Sequence, residues 1–188
     1  MFRPNFNISS KLEELYLENC SLMDRNFLLS STSTMNYLSS LMLLDLSNNL
    51  LKSSPMFYWL FNFTTDLVSI DLDGNLLEGP IPDEFGKAMN SLDYLSLSNN
   101  KLQGKVPSFF GRMCRLQVLD LSNNKLNGRI PETIRLLSQL ETLSLRWNSL
   151  EGPLLLWKPW RMTYLRFLNR LIDYLFVMVE VNLAKRQR

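Results

Sequence analysis

The side chains able to do covalent or metal chemistry are few. The chain has no histidine, which removes His-based triads, His metal sites and any His titration near neutrality. Its two cysteines, Cys20 and Cys114, fall short of the four Cys/His ligands of structural zinc. No Gly-rich phosphate loop is legible. What recurs is polar. Asn49, Asn75, Asn100, Asn124 and Asn148 follow one another at regular spacing, and Asp45, Asp71, Ser96, Asp120 and Ser144 precede them at fixed offset. An amide side chain both donates and accepts, so a buried Asn can satisfy backbone groups where a chain turns out of a strand. Losing one should cost about 1–3 kcal/mol. Rows of carboxylates can steer a cationic ligand. This is the chemistry of folding and binding, and the expectation is no enzyme, no metal and no cofactor.

The elements that position these side chains come from a repeat. Six copies of L-x-x-L-x-L-x-x-N-x-L begin at Leu12, Leu41, Leu67, Leu92, Leu116 and Leu140, with Cys20 in the Asn place of the first copy. The alternating leucines predict a short strand with leucines inward. One copy cannot bury that face alone, so neighbours must stack into a parallel sheet over one leucine core. Three copies continue as L-x-G-x-I/V-P, through Gly79, Ile81 and Pro82, Gly104, Val106 and Pro107, and Gly128, Ile130 and Pro131. Short helical turns are expected after the prolines, at residues 108–112 and 132–137.

These residues resemble the plant-type leucine-rich repeat, over residues 12–153. The fold class is α/β: a leucine-rich-repeat solenoid with short parallel concave strands, an irregular or short-helical convex side and a C-terminal helix as one reading of the tail. The run Trp59-Leu60-Phe61-Asn62-Phe63-Thr64 is similar to the ectodomains of receptor-like proteins of plant immunity. The resemblance implies a non-catalytic module of a cell-surface protein in defence or signalling. Its partner would be a protein or peptide ligand, or a co-receptor. The alternatives are a secreted inhibitor of a cell-wall-degrading enzyme and an intracellular scaffold. The chain reads as an ectodomain fragment, a truncated product or a gene-model fragment. The resemblance places it at the extracellular or plasma-membrane surface, although no signal peptide is legible.

Composition sets further bounds. Hydrophobic residues are 46% and charged residues 20%, which excludes a wholly disordered chain. A net charge of +2 is too small to imply nucleic acid. Residues 1–11 read as a lead-in and 154–188 as a basic, apolar tail. Arg166, Arg170, Asp173 and Glu180 break that tail, so no membrane span is expected. A capping helix, an irregular segment and a membrane-surface helix remain open for it. Cys20 and Cys114 lie three to four repeats apart. At roughly 4.8 Å per stacked strand they are beyond disulfide reach, and free thiols are expected. Asn62, Asn7 and Asn19 head N-glycosylation sequons.

The outward side chains of the strands form rows on the concave face. One row is Tyr16, Asp45, Asp71, Ser96, Asp120 and Ser144, and the next is Glu18, Ser47, Asp73, Ser98, Ser122 and Arg146. Candidate contacts are Tyr16, Asp45, Asp71, Asp73, Tyr94, Ser96, Asp120, Arg146 and Trp147. The acids suit a basic peptide, or are the ordinary spelling of the strand in this repeat. Trp147 stands where other copies have Asn or Gly. It is either a contact residue or packs under the tail.

Overall fold

The computed structural model describes residues 12–28, 40–60 and 67–151. All of them fall in one compact unit that ends at Glu151. The tail reading at 154–188 and the lead-in at 1–11 lie outside the described residues.

Each repeat opens with a three-residue strand. These are β1 (Glu14–Tyr16), β2 (Leu43–Asp45), β3 (Ser69–Asp71), β5 (Tyr94–Ser96), β7 (Val118–Asp120) and β9 (Thr142–Ser144). They pair in parallel in the order β1-β2-β3-β5-β7-β9. The register runs straight through the leucines, with Leu15, Leu44, Ile70, Leu95, Leu119 and Leu143 side by side. Strand alternation sends these inward, and Leu44, Ile70, Leu95 and Leu119 are fully buried. A parallel strand cannot return by a tight hairpin, so each repeat must loop round through the back of the core.

The Asn of each repeat fixes that loop. Asn100 Oδ1 accepts the Leu77 amide N–H of the preceding repeat at 2.9 Å. Its Nδ2 donates to Leu72 of the preceding repeat at 2.9 Å and to Leu97 and Ser98 of its own at 3.2 and 2.7 Å. Asn75, Asn124 and Asn148 repeat the pattern. Asn49 Oδ1 takes two amides, those of Cys20 and Leu22, at 3.0 and 2.8 Å. In the first repeat, Cys20 Sγ reaches only the Glu18 carbonyl, at 3.4 Å. Among the described residues every buried side-chain nitrogen and oxygen has a partner.

After the Asn the structure adds an element to the expected short-helical convex side. A second parallel sheet forms from β4 (Glu78–Gly79), β6 (Lys101–Lys105), β8 (Lys125–Arg129) and β10 (Ser149–Glu151). In β6 and β8 the second residue, Leu102 or Leu126, is buried, and the lysines, Gln103 and Arg129 stay exposed. Gly104 and Gly128 have φ of 82° and 71°, a bend that favours glycine. The prolines then hold φ near −65° with extended ψ, and short helical segments follow. These are α3 (Asp83–Ala88) and 3-10 turns at Ser108–Arg112 and Glu132–Leu136. Earlier copies use α1 (Arg25–Leu28) and α2 (Ser53–Leu60).

Phenylalanines fill the back of the core. Phe57 meets Phe85 edge to face at 5.6 Å, Phe85 leads to Phe109 at 6.5 Å, and Phe109 to Phe110 at 4.7 Å. Close turn-on-turn packing needs small residues beside these rings. A Cβ at Gly111 would run into the Thr133 carbonyl. Cys20 and Cys114 are free and exposed.

The ladder predicts a graded loss. Asn100→Ala should destabilise by about 1–3 kcal/mol, because buried carbonyls and an amide lose their partner together. Asn148→Ala, in the half-buried last copy, should cost less. Urea titrations of both variants measure the difference, and equal losses would mean that burial does not set the strength of a rung.

Candidate binding face

The same register that aligns the leucines aligns the side chains pointing away from the core. Tyr16, Asp45, Asp71, Ser96, Asp120 and Ser144 stand in one row across the six strands. Tyr94 is in the row beside it, level with Ser69 and Val118. An open groove over β2 to β7 is lined by Glu18, Asp45, Asp71, Asp73, Tyr94 and Asp120, with serines and asparagines between them. No Lys or Arg lines it. Six of the candidate contacts, Asp45, Asp71, Asp73, Tyr94, Ser96 and Asp120, therefore share one groove. Tyr16, Arg146 and Trp147 lie outside its lining.

The aspartates have local partners as well as an outward face. Asp45 Oδ1 accepts the Ser47 N–H at 2.9 Å and the Ser47 hydroxyl at 2.7 Å. Asp71 and Asp120 likewise accept the N–H two residues on, at 2.9 and 2.8 Å. This Asx-type bond shapes the chain as it leaves the strand. Asp73 Oδ1 accepts from Ser98 Oγ and from Asn99 Nδ2 of the next repeat, both at 2.6 Å. The carboxylates are thus held rigidly, and the turn bonds of Asp45 and Asp120 use Oδ1 alone.

Two groups in the groove titrate away from their ordinary ranges. The Tyr94 hydroxyl donates to Asp71 Oδ2 at 3.1 Å. Burial first, and then the Asp71 charge, push Tyr94 up to about 12. Burial is also the main cause that raises Asp71. The Asp73 N–H and the Tyr94 hydroxyl pull it back, and the Asp45 and Asp73 charges push it up again. Outside the groove, Tyr16 donates to Glu14 Oε2 at 3.1 Å, a bond that is the first cause of its raised pKa.

One margin of the face is set by backbone conformation. The residue before each ladder position has positive φ: Asn19, Asn48, Gly74, Asn99, Asn123 and Trp147, at 50–64°. Asn and Gly tolerate this left-handed region, and a bulky side chain does not. Trp147 adopts φ 52° and is 69% exposed. Asn48 and Asn99, which line the groove, belong to this column and were not among the candidates. The signal for them was their place one residue before the ladder. Asn19 is exposed; Asn7 and Asn62 lie outside the described residues.

Comparison with known proteins agrees with this geometry. Residues 91–150 match the family model described as leucine rich repeat, and 66–88 a second model of the same description. Receptor-like protein EIX2 of Solanum lycopersicum is 44% identical over 107 residues, which are 56% of this chain and 10% of that protein. The chain thus spans about a tenth of the length of that relative. The Arabidopsis receptor kinase HAESA, in complex with the peptide hormone IDA and the co-receptor SERK1, superposes with a TM-score of 0.62 at 30% identity. That match covers 76% of this chain and 23% of that one. The leucine-rich repeat ectodomain of the Arabidopsis thaliana receptor kinase SOBIR1 gives 0.56 at 30% identity, over 74% and 72%.

Two variants test the physics of the face. Trp147→Asn should stabilise the chain by about 1 kcal/mol through relief of left-handed strain. A loss in urea titration would mean instead that the ring is packed. Asp71 binds its proton more tightly folded than unfolded, so its contribution is complete below the ordinary value of 3.8. It is lost as pH rises through the elevated folded value. Asp71→Asn should therefore gain more stability at pH 7 than at pH 3, as read from thermal melts at both.

Proposed function

We propose that this chain, a leucine-rich repeat protein of the plant type, is a non-catalytic binding segment of a receptor-like ectodomain. Its outer sheet face would take a basic peptide or a basic protein segment. The observation that carries this reading is the groove of Asp45, Asp71, Asp73, Asp120 and Glu18 with no Lys or Arg in its lining. Carboxylates so placed attract a cationic ligand from solution and fix its register once docked. The hydrogen bonds of Asp45, Asp71 and Asp73 hold them still, so binding would pay little for ordering them. Tyr16 and Trp147, both exposed, supply aromatic contact area beyond the groove, the residue types that dominate binding hot spots.

The likeness to a receptor that binds a peptide hormone and a co-receptor supports the class of partner. The likeness to a receptor-like protein supports a cell-surface, signalling or defence setting. Among the described residues no helix is long and apolar enough to cross a membrane, so any anchoring in the bilayer would fall to other parts. Chemistry on a bound ligand is not part of the reading. The groove offers carboxylates, hydroxyls and amides, without a His or Cys nucleophile pair.

Calorimetry of the purified chain against a mixed Lys/Arg-rich nonapeptide library and its Asp/Glu counterpart tests the proposal. The basic library should bind, and the acidic one should not. Asp71→Asn with Asp73→Asn should weaken the basic peptides by about 1–3 kcal/mol. Equal binding of both libraries, or no effect of the double substitution, would overturn the reading.

A further inference from the structure

The acidic groove has an apolar neighbour. Two residues before the Asp row, Leu43, Ser69, Tyr94 and Val118 stand side by side. Strand alternation turns this row away from the core, to the same face as the aspartates. Leu43, Tyr94 and Val118 are half-buried. Met42 and Val68 extend the strip. The Val68 N–H donates to the Met42 carbonyl at 2.8 Å, and Met42 is 46% exposed. Tyr94 joins the two rows. Its hydroxyl reaches Asp71 Oδ2 on β3 at 3.1 Å, so the ring leans from β5 toward the small Ser69. The row ends in Glu14 on one side and Thr142 on the other. Its apolar part therefore covers β2 to β7, the same strands that carry the acidic groove.

We propose that the ligand is an extended peptide segment of alternating cationic and apolar residues that lies across the strands. This rests on the basic-ligand reading above and adds the pattern. Asp45, Asp71, Ser96 and Asp120 form a middle row. The apolar strip flanks it on one side, and Asp73 and Glu18 flank it on the other. The two flanks are four residues apart along a strand, about 13 Å. An extended backbone over the middle row sends successive side chains to opposite sides. One set meets the apolar strip, and the other meets the outer carboxylates. Asp45 and Asp120 make their turn bonds through Oδ1, which leaves Oδ2 to accept backbone N–H groups of the ligand. A helix has already used its N–H groups internally, so the middle row favours an extended ligand. At roughly 4.8 Å per strand, β2 to β7 span about 14 Å, the length of about five extended residues.

Fluorescence anisotropy with capped, fluorescein-labelled pentapeptides tests the pattern on the whole chain. Lys-Leu-Lys-Leu-Lys and its isomer Leu-Leu-Lys-Lys-Lys share one charge and one composition, and Lys-Ser-Lys-Ser-Lys keeps the charge alone. The alternating Lys-Leu peptide should bind about tenfold tighter than either. Leu43→Ser with Val118→Thr should remove that preference and leave the Lys-Ser peptide unaffected. The nearly isosteric Val118→Thr alone should reduce the preference in part, and circular dichroism of each variant reports its fold. Equal binding of the two isomers, or an unaltered preference in both variants, overturns the alternating pattern. If the Lys-Ser peptide still binds, the basic-ligand reading survives that result. Binding of none of the three peptides overturns both.

Discussion

One hydrogen-bonding amide per repeat sets the terms for everything else in this fold. A parallel strand of three residues has too few ladder bonds to hold its own exit. The chain must leave it toward the core, where backbone groups have no water. The Asn side chain resolves both problems. It closes the turn in its own repeat through bonds such as Asn100 to Leu97 and Ser98, and it reaches the previous repeat through Leu72 and Leu77. The Leu register, the inward face and the spacing of the copies all follow from keeping that amide in place. So does the left-handed residue just before it, because the chain has to swing the amide inward within one residue.

The repeat, its strands and the Asn positions were legible because their period is exact and each position has a single physical job. The second sheet was not. Lys-Leu-Gln-Gly-Lys has one apolar residue in five and a glycine near its end, which reads as a turn. It is a strand because the neighbouring copies supply the ladder partners, a fact of stacking that no single window contains. The phenylalanine stack was also hidden, since Phe85 and Phe109 sit in different copies and meet only when those copies pack. The oddity of Trp147 could be seen in its column, but the cause, a positive φ shared by the whole column, could not. The groove residues were half legible. Alternation gave their direction, while the second role of Asp45, Asp71 and Asp120, as acceptors for the N–H two residues on, needed coordinates.

That double role matters for how the face is built. Had the aspartates been recruited only for a ligand, their carboxylates would be free to swing away. Here one oxygen of Asp45, Asp71 and Asp120 is committed to the turn, and Asp73 is held by Ser98 and Asn99, so the groove is acidic at no extra cost in order. Under the proposed reading of the groove, folding and recognition would draw on the same aspartates, so a substitution there would rarely touch only one property.

The direction of the Asn bonds has a consequence for how such a chain comes into being. Every rung from Asn49 to Asn148 bonds to its own repeat and to the one before it. A chain emerging from a ribosome delivers repeats in that order. Each new copy arrives carrying its own fastener, and the backbone groups it must grip are already in place. A growing chain can therefore lock each repeat as it appears, whereas a chain refolding from its C-terminal end would close each turn within its own repeat with no preceding repeat yet to grip.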